Sequence, residues 1–186
     1  MTEKVKDYSD KELLELFISP EYKNFAFNLI VRKYQEKLYW HIRRIIIIHE
    51  DTDDVLQNTF LKAWSALENF REASALFTWL YRIATNESLY FLRQKRRKYI
   101  IPFIDVDKQL SNNLESDAFF DGDELQLKLQ KAILTLPEKQ RIVFNMKYFD
   151  EMKYEEMAKI LKTSVGALKA SFHHAVNKIE KFMTSH

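Results

Sequence analysis

Between Asp53 and Lys98 the chain reads DDVLQNTFLKAW (Asp53–Trp64), then FREASALFTWLYRIATN (Phe70–Asn86), and ends on RQKRRK (Arg93–Lys98). Val55, Leu56, Thr59, Phe60, Ala63 and Trp64 recur at three- and four-residue spacing, which predicts a helix with one apolar side. After a loop near Glu68 to Ser74, Leu76, Trp79, Leu80, Ile83 and Ala84 repeat the pattern. They predict a second helix from about Ala75 to Lys98. The pair is acidic at its start, aromatic in its middle and basic at its end. A plain core has no need of that order. It suits a protein that grips a basic partner with one face and holds unpaired nucleic acid on another.

The flanking sequence is helical too. Ser9-Asp10-Lys11-Glu12 has the form of a capping box ahead of Leu13, Leu14 and Phe17, and Ser19-Pro20 breaks that helix. Phe25, Leu29, Ile30, Lys33, Tyr34 and Leu38 carry the next helix to about Ile48. His49 to Thr52 reads as a polar break, with Asp53 and Asp54 opening the third helix at the positive end of its dipole. Residues 100–123 have no helical period and read as a linker. Beyond it, helices are expected at about Glu124 to Leu134, Pro137 to Tyr148, Tyr154 to Leu161 and Val165 to Met183. The fold class is therefore all-α, with small helical domains at 1–99 and 124–186.

Composition supports that plan and removes several functions. With 46% hydrophobic and 30% charged residues the chain is a folded protein, and 2 Gly and 3 Pro are too few for the turns of a barrel or sandwich. There is no cysteine, which excludes disulfides, thiolate zinc sites and cysteine nucleophiles. No apolar run approaches the ~20 residues that cross a bilayer, and MTEKVKDYSDKELLE lacks a signal core, so a cytoplasmic protein is expected. From Tyr99 to Glu124 seven acids face the single base Lys108 in a chain of net charge +2. Two basic bodies are joined by an acidic strap.

Three groups of residues stand out. Met157, Ala158, Leu161, Val165 and Leu168 fall where the crossing helices of a helix-turn-helix need apolar or small contacts, with Thr163 or Ser164 as an N-cap. Ser164, Ala167, Lys169, Ala170, His173 and His174 are left to face outward, toward a major groove. An ordinary helical hairpin is the reading that this pattern alone leaves open. Arg82, Asn86, Arg93 and Arg97, spaced by four, seven and four residues, form one stripe opposite the apolar side, flanked by Tyr81, Tyr90 and Phe91. Bases of that kind follow a phosphate backbone while aromatics stack on unpaired bases; Trp64 and Trp79, on the apolar stripes, read as core. Asp53, Asp54 and Gln57 share a side of the third helix and suit a basic partner better than catalysis, since no base lies nearby. His173 and His174 are no metal pair, because adjacent residues on a helix diverge by about 100°. His41, His49 and His186 are isolated in sequence and receive no role, and no cofactor is expected.

Taken together, these motifs resemble an RNA polymerase sigma factor of the extracytoplasmic-function class of the sigma-70 family, over nearly the whole chain. DDVLQNTFLKAW resembles the family's core-binding helix, and FREASALFTWLYRIATNESLYFLRQKRRK its promoter-melting, minus-ten-reading segment. LPEKQRIVFNMKYFDEMKYEEMAKILKTSVGALKASFHHAVNKI resembles the domain that binds the minus-thirty-five element, and SVGALKASFHHAV is similar to Bacteroidetes-type members. The resemblance implies that Asp53, Asp54 and Gln57 contact the clamp helices of the polymerase β′ subunit, with the β flap as a further partner. Asn86 would line a pocket for a flipped-out base, with Phe70, Arg71, Ala75 and Phe77 near the reading loop. Lys62, Tyr81 and Arg82 would hold the displaced strand, and Arg93 and Arg97 would continue the DNA contact. Lys147, Ser164, Ala167, Lys169, Ala170, His173 and His174 would face the minus-thirty-five element. The linker would thread toward the RNA exit path. A monomer that binds core polymerase, promoter DNA and an anti-sigma factor is expected, with no chemistry of its own.

Two departures matter. Lys162 stands where many such turns have Gly, so a non-Gly residue must take a left-handed conformation. Lys169-Ala170-Ser171 replaces the paired arginines of many relatives, which reduces bidentate guanine contacts and shifts readout toward DNA shape. The alternative is a stand-alone dimeric helix-turn-helix regulator. It leaves the acid-aromatic-base helix pair without a task.

Overall fold

The computed structural model describes residues 8–70, 75–99 and 124–185, with side chains to residue 95 in the second stretch. Eight helices account for most of them: α1 (Asp10–Ile18), α2 (Lys23–Ile46), α3 (His49–Leu67), α4 (Leu76–Tyr99), α5 (Glu124–Leu134), α6 (Glu138–Tyr148), α7 (Tyr154–Leu161) and α8 (Val165–Thr184). The all-helical, two-domain plan holds, with α1 to α4 in one body and α5 to α8 in the other. The two bodies touch, α4 against α7 and α2 against α6.

The first domain is built on rows of buried residues four apart. Ala26, Ile30, Tyr34, Leu38 and Ile42 line α2; Val55, Thr59, Ala63 and Leu67 line α3; Leu76, Leu80, Ala84, Ser88 and Leu92 line α4. Four-residue steps on a 3.6-residue helix make a slanting ridge that fits the grooves of its neighbour. Each large aliphatic in such a row contributes about 1.5–3 kcal/mol by leaving water. The two hydroxyls within the rows do not go unpaired. Thr59 Oγ1 donates to the Val55 carbonyl and Ser88 Oγ to the Ala84 carbonyl, each at 2.8 Å.

Local chemistry explains the helix ends. Ser9 and Glu12 form the expected capping box, and the chain leaves α1 at Ser19. The Tyr34 hydroxyl donates to Asp10 at 2.6 Å and ties α1 to α2, with Lys33 2.9 Å from the same carboxylate. Burial and that carboxylate push the Tyr34 phenol well above its ordinary range, so it remains a donor.

The junction between α2 and α3 differs from expectation. His49 to Thr52 is no break but the first turn of α3, so Asp53 and Asp54 lie one turn inside the helix rather than at its start. The chain turns instead within the apolar run, where Ile47 adopts φ 70° and Ile48 is extended. A β-branched residue at positive φ is strained. Burial of the Ile47 side chain, 5% exposed, offsets that cost.

In the second domain, Met157, Ile160 and Leu168 are buried where α7 and α8 cross, with Ala158, Leu161 and Val165 half-buried around them. Lys162 takes the left-handed conformation expected of it, φ 51° and ψ 46°, and its N–H donates to the Ala158 carbonyl. A second cluster, Ala132, Ile133, Leu136, Phe144, Ala175 and Ile179, fastens α5 and α6 to the far half of α8. Ile47 and Lys162, two of the three non-Gly residues at positive φ among those described, predict opposite outcomes. Lys162→Gly relaxes an exposed turn and raises stability by up to ~1 kcal/mol. Ile47→Gly relieves similar strain but empties a buried site and lowers stability by about 2–4 kcal/mol. Urea midpoints should rank Lys162→Gly above wild type above Ile47→Gly.

Candidate nucleic-acid interface

Three exposed faces follow from what the helices bury. On α3, burial of Val55, Thr59 and Ala63 leaves Asp53, Asp54 and Gln57 exposed on the opposite side. Asp53 lies 3.6 Å from His49 Nε2 one turn back, so a base does stand near it, contrary to the expectation from sequence. Leu61, 59% exposed, extends the acidic face by another turn. Sequence reasoning passed over Leu61, although a leucine four residues beyond Gln57 on a polar side was the available signal. Carboxylates beside a free aliphatic make a surface suited to a basic, amphipathic partner helix.

On α4 the buried row leaves Asn86 and Arg93 exposed and Arg82 half-exposed. Tyr90, 51% exposed, lies beside them, and Lys62 of α3 reaches across to Glu87 at 2.6 Å with its ammonium 5.7 Å from the Tyr90 ring. The face joins cations, an amide and a free aromatic surface. Ala75 is exposed at its entrance. Phe70 is half-buried, its ring 5.2 Å from that of Trp79. Phe77 packs between Tyr34 and Tyr81 at 6.3 and 4.4 Å.

Tyr81 corrects an expectation. It is 2% exposed, its ring lies 4.6 Å from that of His41, and its hydroxyl donates to the Lys37 carbonyl at 3.2 Å. Burial drives its phenol above the ordinary range. Tyr81 packs α4 against α2 and does not face a DNA strand. Its neighbour Arg82 is turned outward by the same helical geometry. Arg71 and the side chain of Arg97 fall outside the described residues, as does the linker.

The third face belongs to the helix-turn-helix. Ser164 caps α8, its Oγ accepting from the Ala167 N–H at 3.2 Å. Ser164, Ala167, Lys169, Ala170, His173 and His174 are all exposed. His173 Nε2 lies 3.1 Å from Asn177 Nδ2, and the two histidine rings are 6.1 Å apart. Lys147 is partly buried and donates to the Met152 carbonyl at 3.2 Å. Its ammonium and that of Lys169 flank the Tyr154 ring at 5.2 and 5.8 Å. Tyr154 thus aligns two cations from different helices, a contact across sequence that no local pattern announces.

Comparison with known proteins assigns this architecture. Residues 30–98 match the family model of sigma-70 region 2, and residues 126–179 match that of sigma-70 region 4. The two domains are thus a sigma-70-type pair, in which helix-turn-helix and acid-aromatic-base helices occur in one chain. The sigma-E factor of Salmonella typhimurium strain LT2 is 35% identical over 166 residues, covering 83% of this chain and 85% of the relative. The RNA polymerase sigma-H factor of Pseudomonas aeruginosa is 32% identical over 166 residues, covering 84% and 85%. Among solved structures, CnrH in complex with the cytosolic domain of CnrY aligns with a TM-score of 0.68 at 23% identity, covering 94% of this chain and 96% of that one. The sigma factor RpoE in complex with the anti-sigma factor NepR, from Bartonella quintana, aligns with a TM-score of 0.66 at 21% identity, covering 86% and 97%. At these identities the two structures speak for the fold. The chain belongs to the extracytoplasmic-function sigma factors, RNA polymerase subunits of transcription initiation. The stand-alone regulator is not favoured. Among the described residues no helix is long and apolar enough to cross a membrane.

The cap of α8 gives a direct check on how the reading helix is held. Ser164→Ala should cost about 1 kcal/mol of stability, while Ser164→Asp, which keeps an acceptor, should stay near wild type. Urea denaturation distinguishes them.

Proposed function

We propose that the three faces divide the work of promoter opening. The acidic face of α3, Asp53, Asp54 and Gln57 with Leu61, docks on the clamp helices of the polymerase β′ subunit. Asn86 receives a base unstacked from the minus-ten element. Lys62, Arg82 and Arg93 hold the backbone around it, with Phe70, Arg71, Ala75 and Phe77 at the reading loop and Arg97 upstream. Lys147, Ser164, Ala167, Lys169, Ala170, His173 and His174 face the minus-thirty-five element, and the second domain meets the β flap. The protein acts in the cytoplasm as a monomer until it joins the core enzyme, and it catalyses no reaction itself. An anti-sigma factor is its natural inhibitor, since both solved relatives were captured with such a partner or a partner's cytosolic domain.

The observation that carries this reading is Asn86. It is an exposed amide in mid-helix, a site where a better helix former would serve stability, and it lies among cations with its helix firmly packed behind it. An amide offers both a donor and an acceptor to the edge of an unpaired base. The preceding cations supply affinity without sequence preference.

The test compares two templates. Asn86→Ala should slow open-complex formation about tenfold on duplex promoters, the worth of one or two hydrogen bonds, and far less on templates premelted across the minus-ten element. Equal loss on both would remove Asn86 from the pocket. A separate measurement addresses α3. Asp54→Lys should weaken core-polymerase binding at least tenfold, most strongly at low salt, while DNA contacts of α8 are unchanged.

A further inference from the structure

One hydrogen bond on the outer face of α8 settles the chemical form of a side chain. His173 Nε2 lies 3.1 Å from Asn177 Nδ2, one helical turn further on, and both residues are exposed. An amide nitrogen can only donate, so Nε2 must accept. A neutral imidazole whose Nε2 accepts carries its proton on Nδ1. That is the less common arrangement, because a free histidine side chain favours the proton on Nε2. His174 offers a contrast within the same molecule. Its ring lies 6.1 Å from that of His173, and among the described residues no hydrogen bond holds it.

Position along α8 decides which of the two residues can meet a base. At 1.5 Å per residue, His173 stands about 14 Å and Asn177 about 20 Å from the Ser164 cap. A major groove is about 12 Å wide and receives the N-terminal part of such a helix. Where α8 meets DNA as proposed, His173 is at the limit of base contact and Asn177 is beyond it. Ala167 and Ala170 precede His173 on the same exposed side. Their methyl groups leave room for the ring and bring no hydrogen-bonding group of their own. The two nitrogens of an imidazole diverge widely, so the bond from Asn177, on the C-terminal side, turns Nδ1 back toward the alanines. Among the described residues no group bonds to that nitrogen.

We propose that Asn177 is a positioning residue, which fixes His173 as a hydrogen-bond donor and thereby makes it select guanine at one position of the minus-thirty-five element. Guanine suits a lone N–H donor because its O6 and N7 are adjacent acceptors on the major-groove edge. The amino groups of adenine and cytosine would meet the same N–H donor against donor. Without Asn177 the proton returns to Nε2 and Nδ1 becomes an acceptor, so the preference disappears. Specificity is thus set by a residue that touches no base. The inference rests on the assignment of α8 to the minus-thirty-five element.

Two measurements on the full chain test this. Nitrogen-15 NMR at about pH 8, where imidazole side chains are ordinarily neutral, tells the two tautomers apart. The His173 signal is identified by its loss in His173→Gln. His173 should show the Nδ1–H form and His174 the common Nε2–H form. Asn177→Ala, an exposed change that favours the helix, should return His173 to Nε2–H. The second measurement selects open complexes, formed by this chain with core polymerase, from duplex promoters randomised across the minus-thirty-five element. The parent chain should favour guanine about three- to tenfold at one position, the worth of a single hydrogen bond. Asn177→Ala should lose that preference and keep those at other positions. An Nε2–H form at His173 in the parent chain, or an unchanged tautomer in Asn177→Ala, would overturn the positioning. A shifted tautomer with every base preference intact would overturn the readout, and Lys169→Ala then locates the fault. If it changes the preferences, the role of Asn177 alone falls; if it changes none, the assignment of α8 falls as well.

Discussion

The close packing of α3 on α4 is the constraint from which the rest follows. Val55, Thr59, Ala63 and Leu67 on one helix and Leu76, Leu80, Ala84, Ser88 and Leu92 on the other are buried at four-residue steps. A helix that commits one ridge so completely has its remaining residues assigned by geometry. The acids and Gln57 are forced outward on α3, and Asn86 and Arg93 on α4. Ala63, Ala84 and Ser88 are small, so the backbones can approach, and the Ser88 hydroxyl is satisfied within its own helix. Replacing any of them with a larger side chain would displace both functional faces at once.

The second domain solves a different problem with the same means. A helix-turn-helix is too small to bury much, and here its inner half is completed by the first domain while α5 and the end of α8 supply a separate cluster. This explains how eight-residue α7 can be stable. It also means that opening the two domains exposes apolar surface on both, a cost that a large partner such as polymerase can compensate by covering it.

Much of this was legible in sequence because helical order is a local property. The four-residue rows, the Ser9 and Ser164 caps, the Pro137 start of α6 and the left-handed Lys162 are all written within a few residues of where they act. The exposed stripe of Arg82, Asn86 and Arg93 followed from the same periodicity. What escaped was set elsewhere. The turn at Ile47 lies inside an apolar run with no Gly or Pro to mark it, so the polar residues after it looked like the break. Tyr81 looked free because its stripe neighbours are, but α2 packs over it. His41 looked isolated because its partner Asp150 lies 109 residues away. Long-range ionic contacts leave no local pattern.

Lys162 carries a consequence of its own. Its left-handed backbone costs stability that glycine would return, yet its exposed side chain sets a positive charge at the turn preceding α8, the helix proposed to meet DNA. Conformational strain hardly depends on ionic strength, whereas the benefit of each phosphate-neutralising cation declines steadily as salt rises. Where α8 meets DNA as proposed, lysine therefore suits low salt and glycine high salt.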